Sequence, residues 1–204
     1  MDKSTPFTFG ADAIATDGAC GELKRVVVNP VRRTLTHLLI EPKHRQGLGR
    51  LVPVDLVASV DKDRIKLRIT MAEFEQLDFA EETGFLPGAE GDEGYKPGDV
   101  VPFPEFGGNT SVPITSVSVP VGDVTIRGGD QVHATDGDIG QIDGLAVSSG
   151  DNQVTHVMLK EGHLWGRKQV AIPMDAIASV NNGVRLKIDK RTVQDLPPAD
   201  MERI

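Results

Sequence analysis

Short stretches in which apolar and polar residues alternate recur along the chain and predict β-strands. In residues 65–69 (Ile-Lys-Leu-Arg-Ile) every second side chain is apolar and the two between are basic, as in a strand with one buried face. Such stretches are separated by turn-forming pairs, among them Asp17-Gly18 and Asp136-Gly137, which favour tight turns between strands. Aromatic residues make up only 4% of the chain, so the core is predicted to consist of Val, Ile and Leu.

The same pattern of residues occurs twice. Residues 10–41 align without gaps with residues 129–160 at an offset of 119, and Thr36-His37 recurs as Thr155-His156. One extra residue in the second copy moves the offset to 120, where Pro-Val-Asp at 53–55 matches Pro-Met-Asp at 173–175. Identities at glycines, turns and apolar positions are typical of two copies of one fold.

Each copy is predicted to contain six short strands and then a short helix. Six antiparallel strands with tight turns favour a small closed barrel, because closure removes exposed sheet edges. Thr70 and Glu73 have the spacing of a helix capping box, and Asp189 can cap the equivalent turn in the second copy. The predicted fold is therefore mainly β, with two tandem six-stranded antiparallel barrels, each followed by a short helix.

The distribution of charge divides the chain into three parts. The net charge is −8, yet residues 10–80 and 125–196 are close to neutral, and residues 81–124 contain one lysine against eight acidic residues. We therefore predict a first module at 1–80, an acidic Pro/Gly-rich linker at 81–124 and a second module at 125–204. Nucleic acid is a disfavoured partner, because a binder needs clustered Lys and Arg to neutralise phosphates.

No segment has the composition of a membrane span or a disulfide framework. The longest apolar window, residues 51–60, is interrupted by Pro53 and Asp55 and is far shorter than the ~20 residues that a bilayer requires. The N-terminal residues lack the basic start and apolar stretch of a secretion signal, and Cys20 is the single cysteine. A cytoplasmic location is the expectation.

These motifs together resemble the PRC-barrel family. The resemblance rests on Thr-Asp-Gly-x-x-Gly at 16–21 and 135–140, on the apolar hairpin ending Thr-His-Leu-Leu-Ile or Thr-His-Val-Met-Leu, and on Val-Pro-Val-Asp and Ile-Pro-Met-Asp. That family includes the cytoplasmic part of the photosynthetic reaction-centre H subunit and the C-terminal half of a ribosome maturation factor. It implies a docking module without catalysis, over roughly 70 residues in each copy.

Structural roles are favoured for most residues that could carry chemistry. His37 and His156 are each expected to be half-buried and bonded across the sheet, because no second His or Cys stands at ligand spacing. The Asp-Gly pairs are expected to form turns, as are Asp55 and its counterpart in the second copy. Cys20 aligns with an isoleucine and is expected to be a small core residue. We therefore predict no catalytic, cofactor or metal site.

The strongest candidates for binding lie in one pair of equivalent loops. The loop at 161–168 contains the only tryptophan beside basic residues, and the loop at 44–50 keeps the histidine and the basic charge. Trp and Arg are favoured anchors in protein interfaces, although the tryptophan could instead cover one end of the barrel. The candidate interaction residues are His163, Leu164, Trp165, Arg167 and Lys168 in the second copy, and His44, Arg45 and Leu48 in the first.

The favoured function is a non-enzymatic protein-interaction or assembly scaffold with a protein partner of unknown identity. A homo-oligomer is an alternative partner state, and peripheral association with a membrane complex stays open. An accessory role in ribosome or RNA–protein assembly is the second hypothesis, and near-neutral modules predict weak binding to RNA. A small-ligand binder or enzyme that uses a cleft between the barrels is the third.

Overall fold

A computed structural model gives the structure of the chain over residues 4–43, 49–61, 63–86, 112–117, 120–161, 169–180 and 183–196. The fold is mainly β, as predicted. The chain forms two compact units. One contains both copies of the repeat, in residues 1–80 and 119–204, and the other contains residues 81–118.

The strands and helices follow the repeat in the sequence. The first copy contains β1 (Ser4–Thr8), β2 (Asp12–Ile14), β3 (Ala19–Asn29), β4 (Thr34–Glu41), β5 (Arg50–Pro53), β6 (Val57–Asp61), β7 (Arg64–Leu67) and α1 (Met71–Glu75). The segment between the copies forms an antiparallel hairpin of β8 (Glu81–Leu86) and β9 (Val112–Val117). The second copy contains β10 (Val124–Arg127), β11 (Gln131–Ala134), β12 (Gly137–Ser148), β13 (Val154–Glu161), β14 (Gln169–Pro173), β15 (Ile177–Val180), β16 (Val184–Leu186) and α2 (Lys190–Gln194).

The two copies form curled sheets with the same strand order. That order is β5-β4-β3-β2-β7-β6 in the first and β14-β13-β12-β11-β16-β15 in the second. The prediction of purely antiparallel sheets is wrong for one pair in each, because β2 runs parallel to β7 and β11 parallel to β16. The 3₁₀ turn Val54–Leu56 joins β5 to β6, and these two strands run in the same direction without pairing with each other. Because β7 is antiparallel to β6, it runs parallel to β2.

Each sheet has a seventh strand, and it comes from the other copy. β1 pairs antiparallel with β12, where Phe7 faces Leu145, and β10 pairs antiparallel with β3, where Ile126 faces Val26. The two pairings are equivalent in the repeat, because both partners are shifted by 119 residues. Each copy therefore contributes its leading strand to the sheet of the other. The two copies are interlocked by this reciprocal exchange.

Backbone hydrogen bonds between the copies follow the same symmetry. The N–H of Leu35 donates to the carbonyl oxygen of Asn152 at 2.8 Å, and the N–H of Val154 donates to the carbonyl oxygen of Arg33 at 2.8 Å. These four residues form two equivalent pairs at the offset of 119. Arg33 and Asn152 both have left-handed backbone conformations, with φ of 56° and 58°.

Two contacts join residues that are each other's equivalents and so mark a local two-fold axis. Thr34 forms an isolated β-bridge with Gln153. Phe9 packs against Gly128, where an added Cβ would lie 2.6 Å from the Cβ of Phe9. Since each residue meets its own counterpart, both contacts lie close to the axis that relates the two copies.

The exchange places the two copies around one hydrophobic core. Buried residues from both form a single cluster that includes Leu38 and Ile65 from the first copy and Val157 and Ile172 from the second. Phe7 on the exchanged strand is 4% exposed and belongs to this cluster. The two sheets are therefore joined by shared apolar burial as well as by strand pairing.

The predicted helix caps are present. Thr70 and Glu73 form a reciprocal capping box at the start of α1. The side chain of Asp189 accepts a hydrogen bond from the N–H of Thr192 at the start of α2. These bonds satisfy N–H groups that have no partner within the first turn of a helix.

Candidate functional site

The eight candidate interaction residues from the sequence lie outside the described residues. In the second copy these are His163, Leu164, Trp165, Arg167 and Lys168, and in the first they are His44, Arg45 and Leu48. The strands on either side are described. The first segment joins β13 to β14 and the second joins β4 to β5, so the two segments connect equivalent pairs of neighbouring strands.

The Thr-Asp-Gly turns attach each β-hairpin to the helix of its own copy. An Oδ1 atom of Asp17 accepts a hydrogen bond from the N–H of Met71 at 2.7 Å, and Asp136 accepts one from the N–H of Lys190 at 3.0 Å. Both aspartates thus serve the first residue of a helix. This role agrees with the structural interpretation of the motif. The carboxylates that could have suggested acid catalysis are engaged in these hydrogen bonds.

The two histidines are half-buried, as predicted, but their contacts differ from the prediction. The Nδ1 atom of His156 lies 3.1 Å from the Oγ1 atom of Thr155, a contact along the strand and not across the sheet. Burial lowers the pKa of the His156 imidazole. The Nδ1 atom of His37 is buried and has no hydrogen-bond partner among the described residues. In the same part of the chain, no three His, Cys, Asp or Glu side chains are grouped for a metal ion.

Cys20 is a core residue. It is 4% exposed, and its Sγ atom lies 3.6 Å from the Sδ atom of Met71 on α1. Burial raises the pKa of the Cys20 thiol, which lowers the fraction of reactive thiolate at neutral pH. The residue therefore packs as the small apolar side chain that the alignment of the two copies predicted.

A groove of about 460 Å³ lies between the copies. One wall is formed by β6 and the 3₁₀ turn that precedes it, and the other by β1 and the end of β12. The apolar residues that line it are Phe7, Val54, Val57, Ala58, Val60 and Val147. β6 is the last strand of its sheet, and in the described part of the chain β1 is paired with β12. Cα atoms of β1 and β6 approach within 8 Å, so the two walls lie close together.

The two halves differ in charge at the mouth of this groove. Asp55 and Asn152 line the groove. At the equivalent place on the other side of the two-fold axis, the Nη1 atom of Arg33 donates to an Oδ1 atom of Asp175 at 2.7 Å. The Arg33 guanidinium holds the pKa of the Asp175 carboxyl below its ordinary value. Asn152 replaces that arginine in the groove and is too short to take its role.

A second basic residue lies near each of these aspartates, Lys187 near Asp175 and Arg68 near Asp55. The Nζ atom of Lys187 donates to the backbone carbonyl oxygen of Asp175 at 3.0 Å. Arg68 is the equivalent of Lys187 at the offset of 119 and lines the groove. Among the described residues no ion pair involves Asp55. The difference between Arg33 and Asn152 is visible when the sequences of the two copies are aligned. Only the fold shows that Asn152 lines the same groove as Asp55.

Comparisons with known proteins leave the family unassigned. No protein-family model matches this chain, and no curated protein matches it either. In the part of the chain that the structure describes, no helix has both the length and the apolar character needed to cross a membrane.

Proposed function

We propose that this chain is a non-enzymatic interaction or assembly scaffold made of two PRC-barrel-type modules. Each curled sheet, with its repeated strand order and its terminal helix, is on this proposal a barrel of that type. The observation that carries the proposal is the reciprocal exchange of β1 and β10. The exchange joins the two copies in one compact unit, whereas a simple linker would leave them free to move.

A two-fold arrangement held by exchanged strands suits a scaffold because it sets the separation and orientation of two similar surfaces. A partner that contacts both surfaces binds with a high effective concentration at the second site. The loops at 44–50 and 161–168 join equivalent strands, and both contain a histidine and basic residues, although only His44 and His163 align at the offset of 119. We assign the first contacts with a partner to these loops.

The roles of the acidic residues support a function without catalysis. Asp17 and Asp136 each accept a hydrogen bond from the start of a helix, and Asp175 pairs with Arg33. A general acid or base requires a carboxyl group placed beside a substrate with a pKa suited to proton transfer. These three carboxylates are instead engaged in contacts that hold the fold together.

The test is quantitative affinity purification of the full chain, combined with a measurement of mass in solution. We expect a partner in stoichiometric amount, or a homo-oligomer, and we expect Arg167→Ala with Lys168→Ala to reduce recovery severalfold. Arg64→Ala with Lys66→Ala, in β7, removes the same charges from exposed positions and is the matched control. A strictly monomeric chain that retains no stoichiometric partner contradicts the proposal.

A further inference from the structure

Neither copy of the repeat completes its seven-stranded sheet from its own strands. In the first copy, residues 25–28 of β3 pair with β10, which belongs to the second copy. In the second copy, residues 144–148 of β12 pair with β1 of the first. The exchanged strands also carry Phe7 and Ile126, both buried in the shared core. A lone copy would therefore present an unpaired strand edge beside an open core.

The surfaces that meet between the copies are equivalent to each other. The pairing of β1 with β12 and the pairing of β10 with β3 are related by the offset of 119. The backbone hydrogen bonds that join residues 33–35 to residues 152–154 obey the same relation. An interface in which one surface contacts its own equivalent is the kind that forms between identical subunits. The chain thus contains within itself the interface of a two-fold dimer.

The copies make this exchange without using the segment that links them. Residues 81–118 form a compact unit separate from the one that holds both copies, and β8 and β9 form a two-stranded sheet of their own. In the described part of the chain, the strand pairings between the copies join residues before 81 to residues after 118. These pairings do not require that both copies belong to the same chain.

Polar contacts at the exchanged strands distinguish an unlike pair of copies from a like pair. The carboxylate of Asp123, next to β10, accepts hydrogen bonds from Asn29 at 2.8 Å and from Thr36 at 2.9 Å in the first copy. Its equivalent on β1 is Ser4, whose hydroxyl lies 3.4 Å from that of Thr155. Two first copies would lack the carboxylate, and two second copies would lack the asparagine. Only a first copy with a second copy keeps all of these contacts.

We propose that a second copy of this chain is a partner, bound by exchange of whole modules. The first copy of one chain folds with the second copy of the other, and the reverse, so the dimer has two complete units. The inference rests on the proposed scaffold function and names one partner and the surface that binds it. Within one chain, the link gives the copies an effective concentration on the order of 1 mM. The closed monomer is therefore expected at micromolar concentrations, and the exchanged dimer where chains are concentrated to about that level.

Complementation between two variants of the full chain tests this proposal. Leu38 and Ile65 of the first copy are equivalent to Val157 and Val184 of the second, and all four are buried in the core. Leu38→Asp with Ile65→Asp disables the first copy, and Val157→Asp with Val184→Asp disables the second, because each substitution buries an unpaired charge. Each variant alone lacks one working copy and is expected to be unfolded. Mixed together, the two variants supply one intact second copy and one intact first copy.

The measurement follows one chain in the presence of the other. The ¹⁵N-labelled variant with the disabled first copy is refolded with an equimolar amount of the unlabelled variant with the disabled second copy. Each is used at about 20 μM, because a folding constant of at least about 10³ and an effective concentration of about 1 mM give a dissociation constant near 1 μM or below. We expect dispersed amide signals from the labelled second copy, among them that of Leu159, only in the mixture. Light scattering is expected to give the mass of two chains.

Each variant alone, at twice the concentration, is the control for pairing between like copies. A mixture that behaves as the sum of two unfolded variants overturns the inference. Folding of either variant alone to the same extent as the mixture also overturns it, because like copies would then pair as well as unlike ones. The unmodified chain, refolded at about 1 mM and at about 1 μM, is expected to give the mass of two chains and of one chain, respectively.

The outcomes separate this inference from the scaffold proposal. If the unmodified chain captures another protein in stoichiometric amount and the variants do not complement, the scaffold stands and the exchange between chains fails. If the variants complement, while the unmodified chain is monomeric at micromolar concentration and retains no partner, the exchange stands and the scaffold fails.

Discussion

Replacing Phe7 with alanine tests the strand exchange directly, because this side chain belongs to the first copy and is buried against the second. Phe7 is 4% exposed and lies opposite Leu145 in the pairing of β1 with β12. Truncation of a buried phenylalanine to alanine costs about 3–5 kcal/mol. For a folded unit of this size that loss corresponds to a decrease in melting temperature of roughly 6–20 °C, at about 2–4 °C per kcal/mol.

The assay is urea unfolding of the full chain, followed in parallel by the amide NMR signals of Leu38 in the first copy and Leu159 in the second, both of which are buried. Because the copies share one core, we expect the two probes to give the same midpoint, and Phe7→Ala to lower it for both. Phe79→Ala removes the same atoms from a side chain that is 46% exposed and stacks on the guanidinium of Arg50. This control is expected to lose less than about 1 kcal/mol.

Two results would refute this reasoning. A loss below about 1 kcal/mol for Phe7→Ala would show that β1 does not supply a core side chain to the second sheet. Different midpoints for the signals of Leu38 and Leu159 would show that the copies unfold independently. Either result would remove the observation on which the proposed scaffold depends.

Three further predictions follow from individual contacts. Gly144→Ala is expected to destabilise the fold by about 1–3 kcal/mol in urea unfolding, since the new Cβ would press on the backbone of β1, whereas Gly150→Ala has open space and is expected to be neutral. Burial lowers the pKa of His156, so its folded state favours the neutral ring. The free energy of unfolding should therefore fall as pH decreases below about 6.5, and His156→Gln should weaken that dependence. Arg33→Asn should raise the pKa of the Asp175 carboxyl toward its ordinary value in ¹³C NMR titrations, and should remove a contribution to stability that is present above about pH 4 and lost as pH falls through the depressed pKa.

Local structure was predictable from sequence where short-range chemistry decides it. The capping box of Thr70 and Glu73 requires only two residues at the correct spacing, and it forms as expected. The Asp-Gly pairs place turns between strands for the same reason. The strand order repeats in both halves, which agrees with the repeat in the sequence. Each of these features depends on residues that are close together along the chain.

The exchanged strands were missed because their partners are distant in sequence. Thr5, Phe7 and Val124 to Arg127 have the alternation of short strands, but they precede the segments whose identities define the repeat. Alternation shows which face of a strand is buried and does not show which sheet buries it. The parallel pairing of β2 with β7 was missed for a related reason, since a 3₁₀ turn and a tight turn are hard to distinguish in sequence.

The difference in charge between the two halves is also a consequence of the exchange. In two separate barrels, Asp55 and Asn152 would lie on different bodies, and the difference between Arg33 and Asn152 would be an ordinary change between diverged copies. Because the hairpin turns meet at the two-fold axis, that substitution instead removes the cation from one of two equivalent sites. An exact repeat would form the same ion pair on both sides of this axis. The difference between Arg33 and Asn152 leaves the pair on one side, between Arg33 and Asp175, and among the described residues no ion pair involves Asp55 on the other.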